Sequence, residues 1–298
     1  NQTYKKQAAL LLDILPEVAK EDCFAMHGGT AINLFVRDMP RVSVDIDLTY
    51  LPIEDRQTSL ANIAAALERI KSRIETRQPP PQVRHKQDVG KLLISARGTD
   101  IKLEVNLVGR GTLLPPQTLS LCPTAQDEFD VFCEFSIMPI GQLYGGKICA
   151  ALDRQHPRDL FDVKYLLENE GFTEDVKVGV LLGILSGDRP MHEMISPNLL
   201  DQRLAMTNQF EGMSREPFSY EDYETTRQKL IDMIHASLTG HDREFLLSVK
   251  NLAPDWSIYD FKRFPAVQWK LQNLQKLKDI NPEKHREQYE ALKDRLRS

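Results

Sequence analysis

Residues 42–50 have the sequence Val-Ser-Val-Asp-Ile-Asp-Leu-Thr-Tyr. Polar and apolar side chains alternate with a period of two, which is typical of a β-strand with one polar and one buried face. Asp45 and Asp47 therefore project from the same face, with α-carbons roughly 6–7 Å apart. Both carboxylates can reach one divalent cation, and hard oxygen ligands suit Mg²⁺. An exposed strand with ordinary polar alternation has the same pattern, so the pair alone does not identify a metal site.

A glycine turn precedes this strand. The apolar run that ends at His27 predicts a strand, Gly28-Gly29-Thr30 predicts a turn, and residues 31–36 predict a helix. Glycines let a phosphate approach the backbone, and the start of a helix offers free N–H donors. Thr30 is expected either to cap the helix or to bind a phosphate oxygen. Together with the acidic strand, the turn indicates a site for a nucleoside triphosphate, although an ordinary tight turn is the alternative.

A second alternating strand is predicted at residues 101–108, with Glu104 on its polar face. If this strand lies beside the Asp45 strand, three acids come together. Three acids can hold two Mg²⁺ ions, or one of them can take a proton from an attacking hydroxyl. The alternative is that Glu104 pairs with Lys102 or with a charge on a neighbouring strand.

Strand patterns nearly stop at about residue 140, and helical patterns dominate beyond it. We therefore expect an α+β protein, with a mixed αβ domain over residues 1–140 and a helical domain over residues 141–298. The elements predicted in the first domain also include helices at residues 4–20, with a break or a kink near Pro16, and at residues 53–77, and strands at 91–96 and 129–135.

Lys147 lies in an apolar helical run near the predicted domain boundary. Its charge is expected either to reach triphosphate oxygens or to extend to solvent. A further helix is predicted to start at Pro157, with Asp159 and Asp162 in its first turns. Capping of the helix start, at the positive end of the helix dipole, would alone explain Asp159 but explains Asp162 less well, because Asp162 lies one turn inside the helix.

The composition excludes some classes of protein. The 298 residues include 38 Lys and Arg and 43 Asp and Glu, a net charge of -5, which excludes a protein that coats nucleic acid through bulk positive charge. Residues 67–110 are nevertheless basic, with 10 Lys or Arg against 5 acids, as are residues 260–298, with 10 against 6. These segments are either phosphate-binding surfaces or solvated helix faces.

The apolar stretches are too short for a membrane helix, which needs roughly 20 residues, so we expect a cytoplasmic protein. The four cysteines form no C-x-x-C pair and lie in apolar surroundings. Reduced thiols are therefore expected, and not a disulfide or zinc framework.

Taken in their order along the chain, the sequence blocks described above resemble those of the AbiEii-type nucleotidyltransferase toxins, which have the DNA polymerase β-like nucleotidyltransferase fold. The resemblance covers roughly residues 24–167. Two departures are that Gly28-Gly29-Thr30 stands where the wider superfamily has Gly-Ser, and that Glu104 stands where an Asp is common. The blocks that carry the resemblance are His27–Thr30, Arg41–Leu48, Ile101–Asn106, Lys147–Arg154 and Pro157–Asp162.

The resemblance implies a mixed-sheet domain that carries a Mg²⁺ site and a helical domain that completes the nucleotide cleft. The metal ligands that it implies are Asp45, Asp47 and Glu104. The implied catalytic residues are these three acids with Lys147 and Asp162. The implied nucleotide-binding residues are Gly28, Gly29, Thr30, Arg41, Ser43, Lys147 and Asp159. From the sequence alone, Arg41 can equally be a surface cation.

The resemblance also implies a function. Such proteins are the toxins of bacterial toxin–antitoxin or phage-defence (abortive infection) pairs, and they transfer nucleotides from a nucleoside triphosphate to RNA, notably to the 3′ end of tRNA. A cognate antitoxin protein is then a partner. The alternatives are a protein or small-molecule acceptor, and a non-catalytic module that binds RNA or a partner.

Overall fold

A computed structural model describes Gln2–Arg297 and divides the chain into two compact units. The first unit extends to Pro139 and also includes Phe210–Pro217, a segment that returns from much later in the chain. The second unit comprises Ile140–Gln209 and the chain from Phe218 onward.

The first unit is built on a seven-stranded mixed sheet with the strand order β3-β4-β5-β2-β1-β7-β6. Strand β2 is antiparallel to β1 and parallel to β5, and β1 is parallel to β7. The remaining neighbours are antiparallel. This sheet, with the helices that follow it, confirms the predicted α+β class. The strands are β1 (Phe24–His27), β2 (Asp45–Tyr50), β3 (Gln82–Lys86), β4 (Lys91–Ala96), β5 (Thr99–Asn106), β6 (Gln117–Ser120) and β7 (Glu134–Ile137).

Two long helices pack on one face of this sheet. Helix α1 (Gln2–Val18) contacts β5 and α3 (Arg56–Glu75), and α3 contacts β3 and β4. Two shorter helices, α2 (Gly28–Ala31), which continues as a π-helical turn over Ile32–Val36, and α4 (Pro123–Phe129), complete the unit. The strand residues of the packed face are fully buried and apolar, so the other face carries the polar side chains. The buried strand residues include Ile46, Leu48, Leu92, Ile94, Leu103 and Val105.

Several predicted elements differ from the structure. Helix α1 continues past Pro16 to Val18, so the predicted break was wrong. The strand predicted at residues 129–135 was wrong in its first half, because Pro123 starts α4 and Asp130 ends it in the left-handed region. The strand predicted at residues 101–108 ends at Asn106, whose side-chain oxygen accepts hydrogen bonds from the backbone N–H groups of Val108 and Gly109 in the turn. Strands β3 and β6 were not predicted.

Among the described residues of the second unit, the regular secondary structure is helical, and loops join the helices. Helices α5 and α7 pack closely because glycines line both: a Cβ on Gly145 would lie 2.2 Å from the carbonyl carbon of Gly179. The two backbones therefore touch where other side chains would separate them. The helices are α5 (Ile140–Asp153), α6 (Pro157–Glu168), α7 (Glu174–Ser186), α8 (Met191–Ile195), α9 (Arg203–Ala205), α10 (Tyr220–Ser237), α11 (Gly240–Lys250), α12 (Pro265–Ile280) and α13 (Pro282–Arg297).

The four cysteines are free thiols, as the sequence predicted. Within Gln2–Arg297, no helix combines the length and apolar character needed to cross a membrane.

Candidate active site

The acid strand β2 lies near the centre of the sheet, between β1 and β5. Asp45 and Asp47 are partly exposed, whereas Ile46 and Leu48 are completely buried. Since a shift of one residue would bury the carboxylates, this alternation fixes which face they occupy. Both acids therefore share the polar face, as the sequence predicted.

The residues predicted as a glycine turn, Gly28-Gly29-Thr30, are the first turn of helix α2, and this turn packs directly on the acid pair. Gly28 has a φ of +75°, and a Cβ there would lie 2.6 Å from an Asp47 carboxylate oxygen. At Gly29, a Cβ would lie 2.5 Å from a terminal guanidinium nitrogen of Arg41 and 3.1 Å from the Ser43 hydroxyl. Only residues without a side chain allow this approach. The turn, the acid Asp47, Arg41 and Ser43 thus lie together.

Thr30 holds the helix against the acid strand. Its hydroxyl donates to the Asp45 carbonyl oxygen at 2.5 Å and lies 2.9 Å from the Ser43 hydroxyl. The side chain is buried, and helix α2 begins after His27 with no side-chain cap. The capping role considered for Thr30 was therefore wrong. Its hydroxyl instead links the turn to the backbone of the acid strand β2.

Arg41 is only 2% exposed, so the alternative of a surface cation was wrong. Its guanidinium donates to the Val42 carbonyl oxygen at 3.0 Å, and its backbone pairs with Ser214 in the returning segment. Arg41 is permanently charged. Its buried charge beside the glycine turn suits recognition of an anionic group.

Glu104 lies opposite Asp47 in the parallel pairing of β2 and β5, which confirms that the two predicted strands are neighbours. Its carboxylate lies 3.1 Å from the ammonium of Lys91 and 3.8 Å from that of Lys102. The structure therefore shows the alternative in which Glu104 pairs with nearby cations. Within Gln2–Arg297, no group of three or more His, Cys, Asp or Glu side chains is arranged to hold a metal ion.

The donor chemistry of the acid pair nevertheless fits Mg²⁺. This ion usually keeps several waters and takes only one or two protein carboxylates together with substrate phosphates. Asp45 and Asp47 supply two carboxylates on one face, and the glycine turn, which also contacts the buried Arg41, lies against Asp47. A third protein ligand is not required for this kind of site.

In the second unit, Lys147 is buried among charges of its own unit. Its ammonium lies 3.0 Å from Asp159 and 3.1 Å from Asp162, and all three side chains are at most 6% exposed. Arg154 also binds Asp159, with N–O distances of 2.5 and 2.9 Å. Burial alone raises the pKa of Asp159, but the Lys147 and Arg154 charges outweigh burial and hold that pKa well below its usual range.

This arrangement overturns two sequence-based alternatives. Lys147 does not extend to solvent, because its ammonium is buried between the aspartates. Asp159 does not act as a simple cap of α6, because His156 is the N-cap residue and accepts from the Arg158 N–H. The structure therefore brings the three predicted residues of this unit together.

Two cations at these clusters had no role assigned from the sequence. The register that places Lys91 opposite Glu104 is set within the β4–β5 hairpin, whose two turn residues, Arg97 and Gly98, both have a positive φ, so this local turn was the available signal. Arg154 stands seven residues after Lys147 and five residues before Asp159, within the sequence blocks. This closeness in sequence to both residues was the available signal.

Comparison with known proteins identifies the family. A family model described as nucleotidyl transferase AbiEii toxin, type IV TA system, matches residues 9–273, which is most of the chain. The chain belongs to the AbiEii nucleotidyltransferase toxin family. A search of the curated proteins found no match.

A solved structure resembles this AbiEii protein over almost its full length. It is MenT4, a nucleotidyltransferase toxin from Mycobacterium tuberculosis, with a TM-score of 0.58 and 15% sequence identity. The match covers 91% of this chain and 94% of MenT4. At this identity the similarity establishes a shared fold.

As an AbiEii family member, the protein is a nucleotidyltransferase toxin of a type IV toxin–antitoxin system. A nucleotide substrate and an antitoxin partner follow from this membership. The non-catalytic alternative loses its support, because the family is one of enzymes.

Proposed function

We propose that this AbiEii toxin works in the cytoplasm and transfers a nucleotide from a nucleoside triphosphate to RNA, at the 3′ end of tRNA, in a Mg²⁺-dependent reaction. One observation carries the proposal. The glycine turn touches Asp47 on one side and Arg41 and Ser43 on the other, so the first turn of α2, an acid of the pair and a buried cation meet at one place.

The residues of the first unit have distinct tasks in this proposal. Gly28 and Gly29 leave the backbone open to the triphosphate, and the buried Arg41 neutralises part of its charge. Asp45 and Asp47 would hold Mg²⁺. When bound, the ion stabilises the negative charge of the phosphates during transfer.

The reaction is an in-line displacement. The acceptor hydroxyl oxygen forms a bond to the α-phosphorus, the bond between this phosphorus and the bridging oxygen breaks, and pyrophosphate leaves with that electron pair. We assign the hydroxyl proton to Glu104, the third acid on this face. Glu104 lies opposite Asp47 on the neighbouring strand, and the contacts of its carboxylate with Lys91 and Lys102 hold it there.

We assign Lys147 to the triphosphate, with Asp159 and Asp162 positioning its ammonium. This assignment makes residues 141–298 a helical domain that contributes to nucleotide binding and residues 1–140 the nucleotidyltransferase domain. Lys147→Ala should weaken nucleotide affinity, whereas Lys164→Ala, which removes an exposed lysine paired with Glu168 on α6, should not. Equal nucleotide affinity of both variants, measured by titration calorimetry, would refute the assignment.

The acceptor is tested by incubating the protein with each of the four nucleoside triphosphates, labelled at the α-phosphate, together with total RNA and total protein. We expect label in the RNA fraction, on tRNA, at its 3′ end. Label confined to protein would instead establish the alternative of protein nucleotidylation.

A further inference from the structure

The polar face of the sheet carries cations in line with the acids. Residues opposite each other on neighbouring strands point to the same face, so the strand registers define rows of side chains across the sheet. One row crosses β2, β5, β4 and β3 and begins at an acid of the candidate active site. Its members are Asp47, Glu104, Lys91 and Lys86.

A second row lies two residues away along the strands. It also begins at an acid of the candidate active site and ends at a cation on the edge strand β3. Its members are Asp45, Lys102, Leu93 and Arg84. The four cations of the two rows form what we name the basic face, which consists of Arg84, Lys86, Lys91 and Lys102.

The basic face is open to solvent and keeps a positive charge. Arg84 and Lys86 are exposed and form no ion pair within Gln2–Arg297. The acids at outward positions of β3, β4 and β5 are Asp100 and Glu104, so four cations stand against two acids. Two surface cavities of about 540 and 670 Å³ lie along the β3–β4 hairpin, and cations of the face line both.

The basic face and the glycine turn lie on opposite sides of the acid strand β2. The glycine turn follows β1, on one side of β2, whereas β5, β4 and β3 lie on the other side. Three strand spacings of about 4.8 Å separate β2 from β3, roughly 14 Å in all. A polyanion that follows this distance runs along the two rows of cations. Its end would meet a nucleotide held by the glycine turn at Asp45 and Asp47.

We propose that the basic face binds the phosphate backbone of the acceptor RNA immediately before its 3′ end, an inference that rests on the proposed transfer to RNA. The outward positions of β3, β4 and β5 carry no aromatic side chain on which a base can stack. Recognition is therefore through phosphates, independent of base sequence and dependent on salt.

The test uses the full chain with Arg84→Gln and Lys86→Gln combined. Affinity for a fluorescent single-stranded RNA ending in a free 3′ hydroxyl is measured by anisotropy across a series of salt concentrations. Each lost phosphate contact makes the slope of log affinity against log salt shallower by about 0.7. The double variant should therefore lose about 1.4 from the slope and roughly 25-fold in affinity at 0.1 M salt. Nucleotide affinity should not change.

The matched control removes two exposed cations from α12, Lys276→Gln and Lys278→Gln, in the other basic segment of the chain. This control should keep the wild-type slope. If the Arg84 and Lys86 variant also keeps the wild-type slope and affinity, the inference is wrong, and these residues only protect an edge strand from association.

The inference and the proposed function fail differently. If the wild-type protein labels RNA and the double variant binds RNA as the wild type does, the role of the basic face is contradicted and the proposed transfer is not. If the double variant shows the predicted change of slope but the wild-type protein does not label RNA, the proposed transfer is contradicted and the role of the basic face is supported. Label on protein, with RNA binding that does not respond to salt, contradicts both.

Discussion

Replacing Gly28 with alanine is expected to remove nucleotide transfer at a small loss of stability. An L-residue at a φ of +75° costs roughly 1–2 kcal/mol, and a 1 kcal/mol loss lowers the melting temperature of a large domain by about 2–4 °C. The new Cβ would lie 2.6 Å from an Asp47 carboxylate oxygen, so the carboxylate must move. A misplacement of about 1 Å at a catalytic group lowers the rate by about 100-fold.

Gly98→Ala is the matched control. Gly98 has a φ of +72°, but a Cβ there would meet no atom within 4 Å. Both variants should lose similar stability in thermal unfolding, whereas only Gly28→Ala should lose the initial rate of transfer from an α-labelled nucleoside triphosphate. If Gly28→Ala transfers nucleotide at the rate of Gly98→Ala, the glycine turn does not determine the position of Asp47 and the reasoning is refuted.

Three further predictions concern stability and thiol chemistry. Gly145→Ala should destabilise the protein by about 1–3 kcal/mol through overpacking, whereas Gly146→Ala, where a Cβ meets open space, should stabilise it by up to about 1 kcal/mol. Equal stability of the two variants in urea unfolding would contradict the close contact between α5 and α7. Asp159→Asn should cost about 3–5 kcal/mol because it breaks buried ion pairs. Since the pKa of Asp159 is lowered in the fold, the difference from wild type should be complete above about pH 4 and should shrink as the pH falls further, in urea unfolding at a series of pH values. Although the residue Cys149 is partly exposed, burial raises the pKa of its thiol to about 12, so iodoacetamide should modify it slowly at pH 8 in the folded protein and rapidly in urea. Fast modification of the folded protein, detected by mass spectrometry, would contradict the raised pKa.

The local parts of the candidate site were predictable because they depend on short-range patterns. The alternation around Asp45 and Asp47 follows from the period of a strand with one buried face, and the glycines before a helix follow from backbone freedom. The family resemblance rests on the same residues. Both kinds of reasoning identified the α+β class, which the structure confirms.

The pairing of distant elements was not predictable in the same way. That Glu104 lies opposite Asp47 depends on the parallel pairing of β2 with β5, and that choice is made by packing across the whole sheet. Strand β3 was missed although Val83 and His85 alternate with polar residues, because its many charges resemble those of a loop. The contact between Arg41 and Ser214 joins residues far apart in the chain, so the burial of Arg41 had no local signal.

The most direct test of the account measures transfer of label from an α-labelled nucleoside triphosphate to tRNA by Asp45→Asn and Asp47→Asn. The carboxamides keep the shape of the side chains and remove the charges that would hold Mg²⁺. The account predicts that neither variant labels tRNA while both keep the wild-type melting temperature within a few degrees. Labelling at the wild-type rate by both variants would contradict it.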